Sequence, residues 1–226
     1  MRALICCRHS SRCSDVKLVD GQCTSSNIMG VCTGDDMKLV DGVCKLKYGV
    51  GSLQTTSTTP WQGGNDRLQE HTLDCGSNGL NQFHLERQAN PQTNWEFWYN
   101  FRCLQDIESP ANIDNSTPST TYTSTKIGQL ESHDIDCGTH PISKFRLNKP
   151  TATTYSYDYT CNSSEALGPC REVTTDWAFT EHNVHLDSRH NVKCEPGEVI
   201  TRFKLEQHPT EERMRYQYTC CRMSAN

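Results

Sequence analysis

Three histidines occupy the same position relative to a cysteine, and metal binding is the chemistry that such a set could serve. His71, His133 and His190 each stand four residues before a cysteine. Three imidazoles that met on one axis could bind zinc. The alternative, which we favour, is that each ring hydrogen-bonds a loop carbonyl near its cysteine and fixes the entrance of a hairpin. His182 and His185 add little to a metal site, because a strand would point them to opposite faces. We expect no metal and no cofactor.

Carboxylates and nucleophiles do not form a recognisable catalytic set. Asp74 and Asp136 each precede a cysteine, but Lys193 takes that place before the third. A catalytic carboxylate would rarely be duplicated and then replaced in this way. No serine, cysteine or lysine lies in a nucleophile elbow, a phosphate-binding loop or a metalloprotease helix. We predict that the protein is not an enzyme and has no catalytic residues.

An aromatic cluster offers a contact site for a sugar or a protein partner. Trp95, Phe97, Trp98, Tyr99 and Phe101 are more closely spaced than a strand core requires. Alternation would bury Phe97, Tyr99 and Phe101 and leave Trp98 on the opposite face. An exposed tryptophan could stack on a sugar ring or anchor a protein. The alternative is that Trp95 and Trp98 cover a neighbouring loop.

These residues belong to a hairpin pattern that occurs three times. Each copy opens with His-x-aliphatic-x-Cys, continues with aliphatic-x-x-Phe-x-Leu and ends in aromatic-x-aromatic-x-Cys. The alternation is typical of strands with one buried face. The copies run from His71 to Cys103, from His133 to Cys161 and from His190 to Cys220.

Three units that are each too small to bury a face alone should pack around a shared centre. We predict that residues 60–226 form one all-β domain without a sizeable helix. Pseudo-threefold packing, as in a β-prism or a closed barrel of hairpins, is the architecture we favour, and a split sandwich is the alternative. The predicted repeats cover about residues 60–107, 122–172 and 173–223.

The repeat also predicts a disulfide framework. The chain has 14 cysteines, an even number that indicates disulfides and an oxidising compartment. If each strand-opening cysteine pairs with its strand-closing one, Cys170 and Cys221 are left for each other. Each short bridge would close a loop of roughly 25 residues and contribute about 3 kcal/mol. The predicted pairs are Cys75–Cys103, Cys137–Cys161, Cys194–Cys220 and Cys170–Cys221.

Residues 1–48 form a separate cysteine-rich unit in this interpretation. They hold six of the cysteines and a short repeat, Lys17 to Cys23 and Lys38 to Cys44. Asp20-Gly21 and Asp41-Gly42 favour tight hairpin turns. Zinc binding is an alternative role for these cysteines, although paired Cys-x-x-Cys clusters are missing. Residues 49–59 have the composition of a linker.

The amino-acid composition limits the size of the core and the kinds of partner that the protein can bind. Only 34% of the 226 residues are hydrophobic, so the cores are thin and need covalent support. The net charge of −5 offers no basic field for nucleic acid, and no apolar run is long enough to span a membrane.

Two sequons, at Asn115 and Asn162, predict N-glycosylation. The apolar run after Met1 is too short for a signal peptide, so we expect a signal removed earlier or a piece of a longer chain. We predict an extracellular, secreted protein.

The three repeats resemble those of dermatopontin and the related invertebrate haemagglutinins. The likeness covers residues 60–223 and is carried by the paired cysteines and by strand ends such as Tyr216-Gln-Tyr-Thr-Cys220. The Asp-Arg-x-Trp signature of that family is not reproduced. The segment Arg215-Tyr-Gln-Tyr matches it only in part. The resemblance implies an extracellular matrix or sugar-binding protein without catalytic activity.

Two functions follow as expectations. The first is a structural or adhesion glycoprotein that assembles with copies of itself or with related extracellular proteins into a matrix or filament. Residues 3–8 end in Cys-Cys-Arg as Tyr218 to Arg222 does, so the N-terminal segment could pair with a sheet edge on a neighbouring chain. The second is a lectin-like, carbohydrate-binding module.

Overall fold

The computed structural model of the chain describes residues 16–19, 22–25, 37–40, 43–46, 51–56, 59–60, 69–90, 94–105, 112–116, 120–121, 133–151, 154–163, 167–179 and 189–223. These residues form β-strands and turns and contain no α-helix, which confirms the all-β prediction. Strand β19 (Arg213–Arg222) shows why. Met214, Tyr216, Tyr218 and Cys220 are buried at every second position, and the residues between them are more exposed.

The N-terminal unit contributes a four-stranded antiparallel sheet of its own. Its strand order is β1-β2-β4-β3, and the described strands share no pairing with the other sheets. Strand pairs β1–β2 and β3–β4 flank the predicted turns at Asp20-Gly21 and Asp41-Gly42, and Cys23 lies opposite Cys44 in the backbone register. The strands are β1 (Val16–Val19), β2 (Gln22–Ser25), β3 (Met37–Val40) and β4 (Val43–Leu46).

Three long hairpins form the centres of three further sheets. Phenylalanine and leucine of each aliphatic-x-x-Phe-x-Leu segment lie on the buried face of the first strand, opposite the aromatic residues of the second. The hairpins are β8–β9 (Gly79–Asn90, Asn94–Leu104), β13–β14 (Ile142–Thr151, Thr154–Asn162) and β18–β19 (Glu198–Gln207, Arg213–Arg222).

Each hairpin is bordered by a three-residue strand that belongs, in chain order, to a different hairpin. β7 (Thr72–Asp74) precedes the first hairpin but pairs with β13 of the second. β12 (Asp134–Asp136) precedes the second hairpin but pairs with β18 of the third. β17 (Asn191–Lys193) precedes the third hairpin and pairs with β8 of the first. The exchange of short strands is therefore cyclic.

The other border of each hairpin is an edge strand in two parts. We call the resulting sheets the first (β17-β8-β9-β5/β6), second (β7-β13-β14-β10/β11) and third (β12-β18-β19-β15/β16) sheets. All three are open, so the closed barrel of hairpins is not present in the described residues. The edge strands are β5 (Gln54–Thr55), β6 (Thr59–Pro60), β10 (Asn112–Ser116), β11 (Thr120–Thr121), β15 (Cys170–Thr174) and β16 (Ala178–Phe179).

These edge strands correct the predicted linker. Gln54 pairs with Phe101 and Thr59 pairs with Phe97, so the first sheet begins inside residues 49–59. The segment is rich in serine and threonine, which also suit an edge strand that covers one side of a hairpin. Edge strands of the second and third sheets likewise begin before the predicted repeats, at Asn112 and Cys170.

The three sheets share one core at which three phenylalanines meet. Phe83, Phe145 and Phe203 are each 2% exposed, and their ring centroids lie 4.9 to 5.1 Å apart. Each comes from a different hairpin. Full burial of such a side chain contributes about 1.5–3 kcal/mol. Contact between these rings is therefore a main source of cohesion between the sheets.

Three tyrosines extend the same core across the boundaries between sheets. Tyr99 packs edge-on against Phe145 at 6.2 Å, and Tyr157 packs in the same way against Phe203 at 6.2 Å. Tyr216 completes the set against Phe83 at 5.5 Å. Burial raises the pKa of all three phenols, so each hydroxyl stays neutral.

The described residues contain four disulfides, which are the same four pairs that the repeat pattern predicts, and three of them join different sheets. Cys75 directly follows β7 of the second sheet, whereas its partner Cys103 lies in β9 of the first. Cys137–Cys161 links the third sheet to the second in the same way, and Cys194–Cys220 links the first to the third. Cys170–Cys221 instead ties an edge strand to its own sheet.

Candidate binding surfaces on the sheets

The three repeat histidines are buried and lie against their own hairpins. His71 and His133 are 2% exposed and His190 is 1% exposed. His71 contacts Tyr99 at 6.0 Å between ring centroids, His133 contacts Tyr157 at 5.8 Å, and His190 contacts Tyr216 at 5.8 Å. The histidines are thus placed by the aromatic ends of the hairpins.

A threonine from the edge strand holds two of these rings. The hydroxyl of Thr56 lies 2.8 Å from Nδ1 of His71 and accepts the backbone N–H of Tyr99 at 2.9 Å. Thr175 repeats the arrangement with His190 at 3.1 Å and the N–H of Tyr216 at 3.0 Å. The expected loop carbonyl is replaced here by a side-chain hydroxyl. Each histidine therefore helps to seat an edge strand.

Burial keeps two of the histidines neutral. It lowers the pKa of His133, and burial together with the nearby charges of Arg189 and His84 lowers the pKa of His190 to about 4. The three rings do not come together as metal ligands. Among the described residues the one candidate cluster is Cys194, Glu198 and Cys220, and its two cysteines are bridged to each other. His182 and His185 lie outside the described residues.

The acidic residues beside the cysteines shape turns. Oδ1 of Asp74 accepts the N–H of Gly76 at 2.8 Å, and Oδ1 of Asp136 accepts the N–H of Gly138 at 2.7 Å. Both glycines have φ near +60°, a conformation that side chains rarely adopt. In the third turn Glu198 takes over this role by accepting the N–H of Glu195 at 3.0 Å. Because Glu198 accepts this bond, the third turn does not need a carboxylate before its cysteine, where the sequence has Lys193.

Ion pairs occupy much of the outward faces of the second and third sheets. Nε of Arg202 donates to Asp134 at 2.9 Å, and Nζ of Lys144 lies 3.3 Å from Asp74, so both pairs join a short strand to its host hairpin. Arg146 and Asp158 pair across the second hairpin at 2.9 Å. These carboxylates are engaged with cations rather than with each other, which does not resemble an acid–base pair.

Trp98 lies on the outward face of the first sheet, as alternation predicts. Phe97, Tyr99 and Phe101 are buried, whereas Trp98 is half-buried and its indole N–H donates to Oδ1 of Asn100 at 3.2 Å. Trp95 lies in β9 beside Ala89 in the backbone register, but its side chain is outside the described residues. One of the two predicted contact residues is therefore on an accessible sheet face.

The third sheet carries an aromatic and cationic strip that the sequence analysis missed. The guanidinium of Arg215 lies 4.3 Å from the ring centre of Trp177, and that of Arg213 lies 4.2 Å from the ring centre of Phe179. Phe179 is 49% exposed. The ring of His208 is perpendicular to that of Trp177, with 4.9 Å between the ring centroids. The alternation of Trp177 with Phe179, and of Arg213 with Arg215, was the signal that could have revealed this strip.

The two predicted glycosylation sites differ in their surroundings. Asn162 is fully buried, and its amide donates to the backbone carbonyl of Ser77. The buried amide leaves no room for an N-linked sugar in the folded protein, and glycosylation of Asn162 stays an untested prediction. Asn115 lies in β10 opposite Tyr159, and its side chain is outside the described residues.

Comparison of the chain with models of protein families, with curated proteins and with solved structures found no significant match. The resemblance to dermatopontin therefore stays a prediction. The described residues contain no helix that is both long and apolar enough to cross a membrane. Four disulfides are compatible with an extracellular protein.

Proposed function

We propose that this protein is a non-catalytic, extracellular structural and adhesion protein that assembles with copies of itself or with related proteins. Its larger part is a three-repeat domain with pseudo-threefold, prism-like packing, and its N-terminal unit is the connector between chains. Glycosylation at Asn115 belongs to the same proposal. The repeats resemble those of dermatopontin, and this resemblance implies an extracellular matrix protein, in agreement with the proposal.

The observation that carries the proposal is the cyclic exchange of short strands between the three hairpins. Each sheet contains a strand from another repeat, and each exchanged strand is followed by a cysteine that bridges back to its own hairpin. No hairpin can separate from the other two without breaking both a strand pairing and a disulfide. Such a frame resists unfolding and proteolysis, which suits a load-bearing or adhesive role.

The chemistry of the described residues supports a role without catalysis. The buried histidines seat edge strands, Asp74 and Asp136 stabilise turns, and the cysteines of the larger domain are bridged. The repeat residues that sequence alone offered as metal ligands, acids or nucleophiles, namely His71, His190, Asp74, Asp136 and the bridged cysteines, thus have structural tasks. What remains accessible is a set of outward sheet faces, which are suited to contact other molecules.

A separate N-terminal sheet supports the connector role. Strands β1 to β4 pair only with one another in the described chain. Residues 3–8, whose likeness to the end of the third hairpin suggested strand addition, lie outside the described residues. A head-to-tail contact of this kind builds a filament when it does not close into a ring.

Removal of residues 1–48 tests the connector. Gln54 and Thr56 belong to the first sheet, so the deletion ends before them and leaves the larger domain intact. We expect the shortened protein to stay folded, with the circular dichroism of a β-sheet protein, and to sediment as a monomer under conditions in which the full chain assembles. Undiminished assembly of the shortened protein would assign the contact to the sheet faces instead.

Carbohydrate binding is the second candidate, and Trp98 favours it. Its indole lies on an outward sheet face, where one ring face could stack on a sugar. A glycan array with the Trp98→Ala variant tests this function. Trp177→Ala is the matched control, because Arg215 covers the ring of Trp177. Glycan binding that is lost with Trp98 and kept without Trp177 supports a lectin; absence of binding to every glycan removes this candidate.

A further inference from the structure

One disulfide differs from the other three in its exposure to solvent. Seven of the eight bridged cysteines of the larger domain are at most 7% exposed, whereas Cys170 is an exposed residue. Its partner Cys221 is fully buried. Thiol–disulfide exchange requires a thiolate to reach a sulfur atom. Cys170–Cys221 is therefore the bridge of the larger domain that an external thiolate can reach most easily.

The same bridge has no counterpart in the neighbouring sheet. Cys170 lies directly opposite Cys221 in the pairing of β15 with β19, and their Cα atoms are 4.0 Å apart. Asn112 and Asn162 occupy the equivalent register position in the second sheet, which nevertheless forms. The third sheet should therefore keep its fold when this bridge opens, because the three buried bridges hold the frame.

A hydroxyl group lies beside the buried sulfur. Oγ1 of Thr201 is 3.5 Å from Sγ of Cys221. A bridged sulfur carries no hydrogen, so the hydroxyl is the only possible donor in this contact. Donation to sulfur stabilises the negative charge that develops when Cys221 leaves as a thiolate, and a more stable thiolate leaves faster.

We propose that Cys170–Cys221 is a thiol-exchange site, attacked at Cys170 by a small-molecule or protein thiol. The incoming thiolate forms a new S–S bond with Sγ of Cys170, and the Cys170–Cys221 bond breaks. Its electron pair stays on Sγ of Cys221, which is next to the Thr201 hydroxyl and then takes a proton from solvent. One disulfide is consumed and one is formed, so no separate oxidant or reductant is needed.

The product joins the attacking thiol to an edge strand with little buried surface. Four residues of β15 are exposed and Val173 is half-buried. The strand continues towards Trp177 and Phe179, which carry the aromatic strip. A protein thiol attached at Cys170 would therefore lie beside an accessible surface, and a covalent cross-link at this point leaves the core undisturbed.

Reduced glutathione is the probe for this site. The full chain is incubated with it under native conditions, quenched with acid, alkylated and mapped as peptides, so that each cysteine is read separately. We expect glutathione on Cys170 and the alkylating group on Cys221, with exchange at least about tenfold faster than at Cys75–Cys103, Cys137–Cys161 or Cys194–Cys220. Glutathione on Cys221, or equal exchange at a buried bridge, would overturn the proposal.

Two variants separate the proposed parts of the site. Cys170→Ser combined with Cys221→Ser should keep the circular dichroism spectrum and lose the adduct. Thr201→Val keeps the shape of the buried side chain and removes the hydroxyl, so exchange at Cys170 should slow relative to Cys137–Cys161 in the same sample. An unchanged ratio between these two bridges would contradict the role assigned to Thr201.

Discussion

The backbone N–H of Cys194 donates to the carbonyl of Asn81 at 3.0 Å, and this bond joins the last repeat to the first. The same bond connects Cys75 to Ser143 at 2.8 Å and Cys137 to Thr201 at 2.9 Å. All three carbonyls belong to buried polar residues at β-bulges. A bulge turns an extra backbone group out of the hairpin, which makes it available to the incoming short strand.

Of the three polar residues at these bulges, Asn81 should lower the stability of the protein most when it is substituted. Its side-chain amide also donates to the carbonyls of Glu195 at 3.1 Å and Glu198 at 2.8 Å. Asn81→Ala leaves these partly buried carbonyls without that donor, and we expect it to lower the free energy of unfolding by about 1–3 kcal/mol. Urea denaturation measures the change. Gln82→Ala is the control at the next residue, and an equal loss there would contradict the special role of Asn81.

The contact among Phe83, Phe145 and Phe203 predicts a large loss of stability when one of these side chains is shortened. Phe203→Ala should lower the free energy of unfolding by about 3–5 kcal/mol, because it leaves a cavity where three sheets meet. The exposed Phe179 is the matched control, and Phe179→Ala should stay within about 0.5 kcal/mol of the parent. Similar losses at the two positions would mean that the sheets do not share a core at Phe203.

His190 predicts a loss of stability in acid. Its pKa falls to about 4 in the folded protein from an ordinary value of 6.5, so the unfolded chain binds the proton first as the pH drops. The free energy of unfolding should therefore decline between about pH 6.5 and pH 4, and His133 should add to the decline. Denaturation curves across this range measure the slope.

Two variants test the origin of that slope. His190→Phe removes the titrating ring and should flatten the decline, whatever it costs at neutral pH. Thr175→Val removes the hydroxyl that contacts Nδ1 but keeps the ring, so its slope should persist. A His190→Phe protein with the slope of the parent would show that other groups control the acid response.

Burial of Asn162 predicts that the two sequons behave differently. Mass spectrometry of the protein expressed through a secretory pathway, before and after enzymatic removal of N-glycans, should find Asn162 unmodified. Asn162→Gln should lower stability without changing the glycan mass, because the amide bonds the carbonyl of Ser77. A glycan on Asn162 in the folded protein would contradict its buried position.

Local alternation was enough to predict the hairpins from the sequence. The Phe-x-Leu segments and the aromatic strand ends fix which face of each strand is buried, and the structure follows them at Phe83, Tyr99 and Trp98. The repeat was enough to pair the eight cysteines in the same way as the structure. Both inferences rest on neighbours in sequence or on equivalent positions.

Strand exchange between repeats could not be predicted in this way. A three-residue strand such as β7 has the same alternation whether it joins its own hairpin or the next one, so only tertiary contacts decide. The edge strand at Gln54 was hidden by linker-like composition. Asn162 matched a sequon, but burial depends on the fold and not on the three-residue motif.

The molar mass of the full chain in solution tests the central claim of self-assembly most directly. Sedimentation equilibrium across a wide range of protein concentrations is the measurement. A weight-average mass that rises with concentration well above 25.6 kDa plus any attached glycan is the predicted result. A mass that stays at that of a single chain at every concentration would contradict it.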